Sequence, residues 1–202
     1  MQGVAIPNVS LKILGSKLVS EGPLLFTHWG LSGPAILKLS SWGARFLEEK
    51  LYNFSIHINF GNHSFDETKA IIEQTKFDSP KKKIQNLIPF NIPKRAWHFI
   101  LNSAEISLNE PFENISGKKL NKLATQISQF EFSVEGKSTF KEEFVTAGGI
   151  DLKQLEKKTC QHQNYPGLYF TGEVMDIDAI TGGYNFQGAW TTAFTVAKHI
   201  TS

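Results

Sequence analysis

The 202-residue sequence is long enough for one ordinary domain or two small lobes, and 41% hydrophobic residues with 16 phenylalanines exclude an intrinsically disordered chain. A formal net charge of +2, with Arg45 and Arg95 the only arginines against 19 lysines, argues against specific nucleic-acid recognition, for which the guanidinium is the usual bidentate reader. The lone cysteine, Cys160, excludes an internal disulfide and points to a cytoplasmic location, and no apolar run approaches the roughly 20 residues of a membrane span, so no membrane association is expected.

The first sixty residues read mainly as β-structure. Met1 to Lys17 lacks the charged and apolar regions of a signal peptide. Val9, Leu11 and Ile13 alternate with polar residues, and Leu24-Leu25-Phe26 is a short apolar run of the kind found in buried strands. Ser32-Gly33-Pro34 has the chemistry of a helix start, with Ser32 as N-cap, and Ile36, Leu39, Gly43, Phe46 and Leu47 keep a helical period behind it. From Tyr52 the period becomes two: Tyr52, Phe54, Ile56, Ile58 and Phe60 share one face of a strand, with His57 on the other.

Residues 64–127 change character and read as a helical lobe. Ser64 and Glu67 form a capping box, Ser79-Pro80 opens a short helix bearing Ile84, Leu87 and Ile88, and Pro93 opens another bearing Trp97, Ile100 and Leu101. Ser116 caps a fourth, with Leu120, Leu123, Ala124 and Ile127 on one face. Strand periodicity returns at Phe130, Phe132 and Val134, and Glu135-Gly136 suggests a hairpin whose return strand runs toward Phe144 and Val145.

The last forty residues carry the chemistry. Gly167 to Gly172 reads as a buried strand, Glu173, Asp176 and Asp178 follow in a loop, and Thr181-Gly182-Gly183 opens a helix with Phe186, Trp190 and Phe194 on one stripe, expected to face a core. The first turn of a helix offers unpaired amides and a partial positive charge, and glycines let a ligand approach them. Such an end suits an anionic or electron-rich atom, and a carboxylate at a strand end suits sugar hydroxyls. Spacing alone fits a tight turn beside a solvated acid equally well.

Three blocks in order decide between these readings: Leu24-Leu25-Phe26-Thr27-His28-Trp29-Gly30-Leu31-Ser32-Gly33-Pro34, Val145-Thr146-Ala147-Gly148-Gly149-Ile150, and Gly172-Glu173-Val174-Met175-Asp176-Ile177-Asp178 with Thr181-Gly182-Gly183-Tyr184-Asn185-Phe186-Gln187. Together they resemble the NAD(P)/FAD-dependent oxidoreductases of the aminoacetone oxidase and bile-acid reductase (BaiN-like) type. The resemblance implies an α+β chain: an inserted β-barrel-like lobe with a small helical lobe, plus the C-terminal strand–loop–helix part of a glutathione-reductase-like FAD domain. The implied divisions are residues 1–63, β-rich insert; 64–127, helical lobe; 128–147, returning strands; and 148–202, FAD domain. It implies FAD as cofactor, contacted by Gly172, Glu173, Asp176, Gly182, Gly183, Tyr184, Asn185, Phe186 and Gln187, with NAD(P)H as electron donor and a small-molecule substrate.

No G-x-G-x-x-G occurs in the sequence, although the family holds the FAD pyrophosphate with that motif. The chain therefore resembles a truncated, C-terminal portion, inactive alone, whose expected partner is the N-terminal FAD-binding half in trans. Elements that normally pack on that half are expected to expose apolar surface and invite self-association. The alternative is a non-catalytic interaction module that keeps the insert fold.

Other candidates are weaker. His28 could serve as an acid or base near substrate or flavin, but its simpler role is to pin its loop through a backbone hydrogen bond. Cys160 and His162 lack a second pair, so no metal site is expected, and nothing supports Cys160 as a nucleophile. Lys81-Lys82-Lys83 with Lys94-Arg95 makes a basic patch, most simply a solvated face.

Overall fold

The computed structural model describes residues 1–137, 145–180 and 182–202. Five strands, β1 (Ala5–Ile13), β2 (Val19–Phe26), β3 (Leu31–Ser32), β4 (Asn53–Asn59) and β5 (Phe130–Glu135), form an antiparallel sheet in the order β3-β2-β1-β4-β5. Among the described residues five α-helices accompany them: α1 (Pro34–Glu49), α2 (Phe65–Asp78), α3 (Lys94–Ser103), α4 (Gly117–Ser128) and α5 (Tyr184–Ile200). The chain is therefore of the α+β class. Residues 1–39 and 49–137 make one compact unit; residues 40–48 and 138–202 make a second, smaller one.

In the first unit, alternation builds the sheet. Val9, Leu11 and Ile13 of β1 and Ile56 and Ile58 of β4 turn inward, and Leu11 pairs with Ile58, Ile13 with Ile56. The Leu24–Phe26 run is a one-sided strand rather than a fully buried one: Leu24 and Phe26 are buried while Leu25 is 38% exposed. β4 begins at Asn53, because Leu51 and Tyr52 lie at positive φ in the turn that reverses the chain after α1. The expected cap of α1 moves by one residue. Ser32 pairs with Leu25 in the sheet, and the first helical bond runs from the Leu37 N–H to the Gly33 carbonyl, with Pro34 as first helical residue. Gly33 is required there: its φ is +101° and a Cβ would lie 2.8 Å from the Pro23 carbonyl oxygen.

The helical lobe follows its local signals. The Ser64 hydroxyl accepts from the Glu67 N–H, and the Glu67 carboxylate accepts from the Ser64 N–H at 2.8 Å, closing the capping box of α2. α4 is capped by Ser116 and buries Leu120, Leu123, Ala124 and Ile127 at the expected spacing. α3 begins after Pro93 and buries Trp97, whose indole N–H donates to the Ile84 carbonyl at 3.1 Å. The helix expected after Ser79-Pro80 does not form. Ser79 ends α2 instead, and only a three-residue 3-10 turn, Ile84–Asn86, exists, because residues 82–84 spend their backbone groups on residues 110–112. The return strand of the hairpin after Glu135-Gly136, including Phe144, lies outside the described residues.

The second unit has a small core of Leu155, Cys160 and Met175, against which Ile150, Phe170, Ile177 and Val196 pack. The strand expected at Gly167–Gly172 is absent. Its only ladder contact among the described residues is a single bridge from Tyr169 to Gln161, and Leu168 is exposed. An apolar run becomes a strand only where a neighbouring strand pairs along its length. Among the described residues no helix is long and apolar enough to cross a membrane.

Candidate functional site

In the second unit the loop singled out from the sequence runs along α5: Gly172 lies against Ala189 and Thr192, Ala179 against Asn185, and Gly183 at the helix start. Gly183 is its N-cap, in the left-handed conformation at φ +87°, and offers no side chain to the first-turn amides. The first helical bond is from the Gln187 N–H to the Gly183 carbonyl, so the amides of Tyr184, Asn185 and Phe186 have no acceptor within the helix. Among the described residues nothing lies within 4 Å of where a Gly183 Cβ would be, so the helix start is open on that side. The dipole adds partial positive charge there. The arrangement can receive a carbonyl or anionic oxygen.

Two side-chain clamps hold the preceding loop on this helix. The Gly172 N–H donates to the Thr192 hydroxyl at 3.0 Å, which itself donates to the Gly188 carbonyl. The Asn185 carboxamide brackets Ala179, accepting from its N–H at 2.7 Å and donating to its carbonyl at 3.1 Å. Asn185 is thus engaged with the backbone through its side chain, leaving its amide for a ligand. Gly172–Val174 forms a 3-10 turn with Glu173 exposed. Asp176 accepts from the Arg45 guanidinium at 2.5 Å, and that hydrogen bond, with the charge of Asp176, raises the Arg45 pKa above its ordinary value. Gln187 donates to the Thr191 hydroxyl.

Sequence reasoning missed two supports of this loop, Thr192 and Arg45, and had the third, Gly149, only as part of a family-like block. Thr192 carried no signal beyond its place on the helix, and Arg45 is 131 residues from its partner. Gly149 did carry one, in the Gly148-Gly149 pair. Ile150 exchanges backbone bonds with Val174 and Asp176 at 2.9 and 3.0 Å, and a Cβ on Gly149 would lie 2.6 Å from the Val174 oxygen.

Phe186, Trp190 and Phe194, expected in a core, are 67%, 67% and 70% exposed, with Phe186 stacked on Trp190. Spacing at a helical period predicts an apolar face and says nothing of what covers it. Cys160 is buried against Met175 and Leu155, and desolvation pushes its thiol pKa up, away from nucleophile chemistry.

His28 lies in the first unit, where its ring bonds the Gln2 side chain; Thr27, through its hydroxyl and N–H, is what ties the Thr27–Gly30 turn. His28 also lines a cavity of about 470 Å³ with Phe26, Trp29, Phe99 and Phe132.

Residues 1–145 match the family described as the HI0933-like protein barrel and H2TH domain. The chain belongs to the HI0933-like family. Among curated relatives of this family member are two named ribosomal RNA dihydrouridine synthase. That of Haemophilus influenzae is 32% identical over 99% of this chain and 47% of the relative, and that of Escherichia coli 29% identical over 99% and 47%. A third, the 3-dehydro-bile acid delta(4,6)-reductase of Clostridium scindens, is 25% identical over 92% of this chain and 46% of the relative. The HI0933-like chain spans about half the length of these relatives.

Proposed function

We propose that this chain forms the flavin-ring side of the cofactor site, and the substrate-side domain, of an FAD-dependent oxidoreductase that takes electrons from NAD(P)H. The observation that carries the reading is the glycine-opened start of α5, with three first-turn amides that have no acceptor within the helix and, among the described residues, nothing within 4 Å of a Gly183 Cβ. That donor set fits the pyrimidine edge of a flavin, where negative charge develops on reduction. The relatives' names support it: a reductase and a synthase of a dihydro compound both add two hydrogens to an unsaturated substrate.

FAD, when bound, supplies the redox chemistry, and the protein orients it and tunes its charge. In this reading the amides of Tyr184, Asn185 and Phe186 face the ring oxygens and nitrogens, Gly182 and Gly183 admit them, and Glu173 meets ribityl or ribose hydroxyls. The Asn185, Thr192 and Arg45 side chains hold the loop that carries Gly172, Glu173 and Asp176.

The test is a flavin titration by fluorescence quenching, with the chain alone and then with the half of the Haemophilus influenzae relative that it does not match. Binding that requires the added half and weakens on Gly183→Val supports a flavin site shared between the two. Tight binding by the chain alone, unchanged by Gly183→Val, overturns the site assignment. Two folded, associating pieces that bind no flavin leave an interaction module instead of an oxidoreductase.

A further inference from the structure

We propose that the outer face of the sheet, between β1, β4 and the end of α4, binds a short aliphatic carboxylate held by Lys12, His57 and Gln129. All three residues lie in the first unit, so nothing in the site depends on the flavin reading above.

Alternation along the strands places the polar row. Leu11, Ile13, Ile56 and Ile58 are buried, so their neighbours Ser10, Lys12, His57 and Asn59 turn to the opposite face. The register pairs Lys12 with His57 and Ser10 with Asn59, and directly opposite residues hold their Cβ atoms roughly 5 Å apart. Ser128 and Gln129, where α4 ends, close the row into a cavity of about 440 Å³ that Leu14 and Val19 also line. That volume lies within the range of small-molecule sites. Several bonds fix the walls. Asn59 donates one N–H to the His63 carbonyl and accepts from the Gly61 N–H, Ser10 donates to the Asn62 side chain, and Ser128 donates to the Ala124 carbonyl.

The remaining groups are donors without acceptors. Among the described residues Lys12 has no carboxylate within ion-pair distance, the His57 ring and the Gln129 carboxamide make no hydrogen bond, and no acid lines the cavity. An ammonium brings a full positive charge, an imidazole carries an N–H in either neutral tautomer, and a carboxamide adds two more. Together they fit a carboxylate, whose charge-assisted bonds are the strong ones. The charge count selects a single negative charge. Glu131 stands opposite His57 on β5 and Glu21 opposite Ser10 on β2, so carboxylates flank the row on both sides. A polyanion laid across these strands meets that repulsion, whereas one carboxylate between Lys12 and His57 meets donors alone. The apolar part of the ligand is small. Val19, 55% exposed and opposite Lys12 on β2, and the half-buried Leu14 are the aliphatic side chains that reach the cavity surface. They cover a chain of a few carbons and leave a fused ring system in water.

The test is heteronuclear amide NMR of the full chain titrated with sodium butyrate at constant ionic strength. Saturable shifts are expected at the amides of Lys12, His57 and Gln129, with millimolar affinity, and none with n-butanol, which has the chain without the charge. Lys12→Gln should weaken binding by about tenfold or more, and Lys12→Arg should retain it. Lys17→Gln, at an exposed lysine of the same hairpin outside the cavity, should change nothing. Lys12 is exposed, so far-UV circular dichroism should stay that of the parent. No saturable shift, an equal response to n-butanol, or binding indifferent to Lys12→Gln overturns the proposal. Tighter binding of inorganic phosphate or oligouridine at these amides overturns it by refuting the charge count, and tighter binding of cholate overturns it by refuting the small apolar wall.

Discussion

Gly149→Ala is the substitution that should most sharply damage the loop bearing Glu173 and Asp176. A Cβ at residue 149 would lie 2.6 Å from the Met175 carbonyl carbon and from the Val174 oxygen, about 0.8 Å short of the 3.4 Å at which ordinary contact begins. Both neighbours are backbone, so no side chain can swing aside. The φ of +145° adds strain of roughly 1–3 kcal/mol for a residue with a Cβ. Separating the strands of chain breaks the Ile150-to-Val174 and Asp176-to-Ile150 bonds, at about 0.5–1.5 kcal/mol each. The sum is about 2–6 kcal/mol of local destabilisation, which raises local opening by roughly 30-fold or more. Cys160 reports it directly, being the lone cysteine and buried against Met175. Its modification by a thiol reagent such as DTNB should accelerate by that factor, while the Trp97 environment in the other unit stays unchanged. Gly148→Ala is the control: its φ is also positive, at +109°, but no atom lies within 4 Å of its Cβ position, so it should accelerate the reaction far less. A Gly149→Ala rate within about threefold of the parent, or equal to that of Gly148→Ala, would refute the close-approach argument.

Ser64→Ala should cost about 1 kcal/mol in urea unfolding at neutral pH through the lost cap of α2. Hydrogen bonds from the Ser64 hydroxyl and then its N–H hold the Glu67 carboxyl below the ordinary glutamate range. The part carried by the Glu67 carboxylate is therefore complete above the ordinary glutamate range and disappears as pH falls through the lowered value, so the gap between parent and variant should narrow in acid to what the pH-independent bond from the Glu67 N–H to the Ser64 hydroxyl supplies; a gap unchanged between pH 7 and pH 2 would contradict the carboxylate half of the capping box. The exposed Phe186, Trp190 and Phe194 face should drive concentration-dependent self-association in sedimentation, reduced about tenfold or more by Trp190→Asp. A monomer at all concentrations would refute that expectation.

The sequence determined the features that depend on neighbours in the chain. The capping box at Ser64 and Glu67, the α4 stripe of Leu120, Leu123, Ala124 and Ile127, and the alternation along β1 and β4 rest on local backbone geometry and on one-sided burial, and each is legible as spacing. The three blocks that resemble a flavoprotein family were legible in the same way, as residue order. Tertiary structure decided everything that needed a distant partner. The Gly167–Gly172 run has strand composition but, among the described residues, makes a single ladder bridge, to Gln161, and a strand is defined by a neighbour that pairs along it. The helix expected after Pro80 lost its backbone groups to residues 110–112. The α5 stripe has the period of a core helix, yet burial belongs to whatever covers a face and is no property of the face itself. Arg45 and Asp176, 131 residues apart, and the cavity joining residues 2, 28, 99 and 132 exist only because the fold brings separate elements together, and no short-range pattern encodes such a meeting.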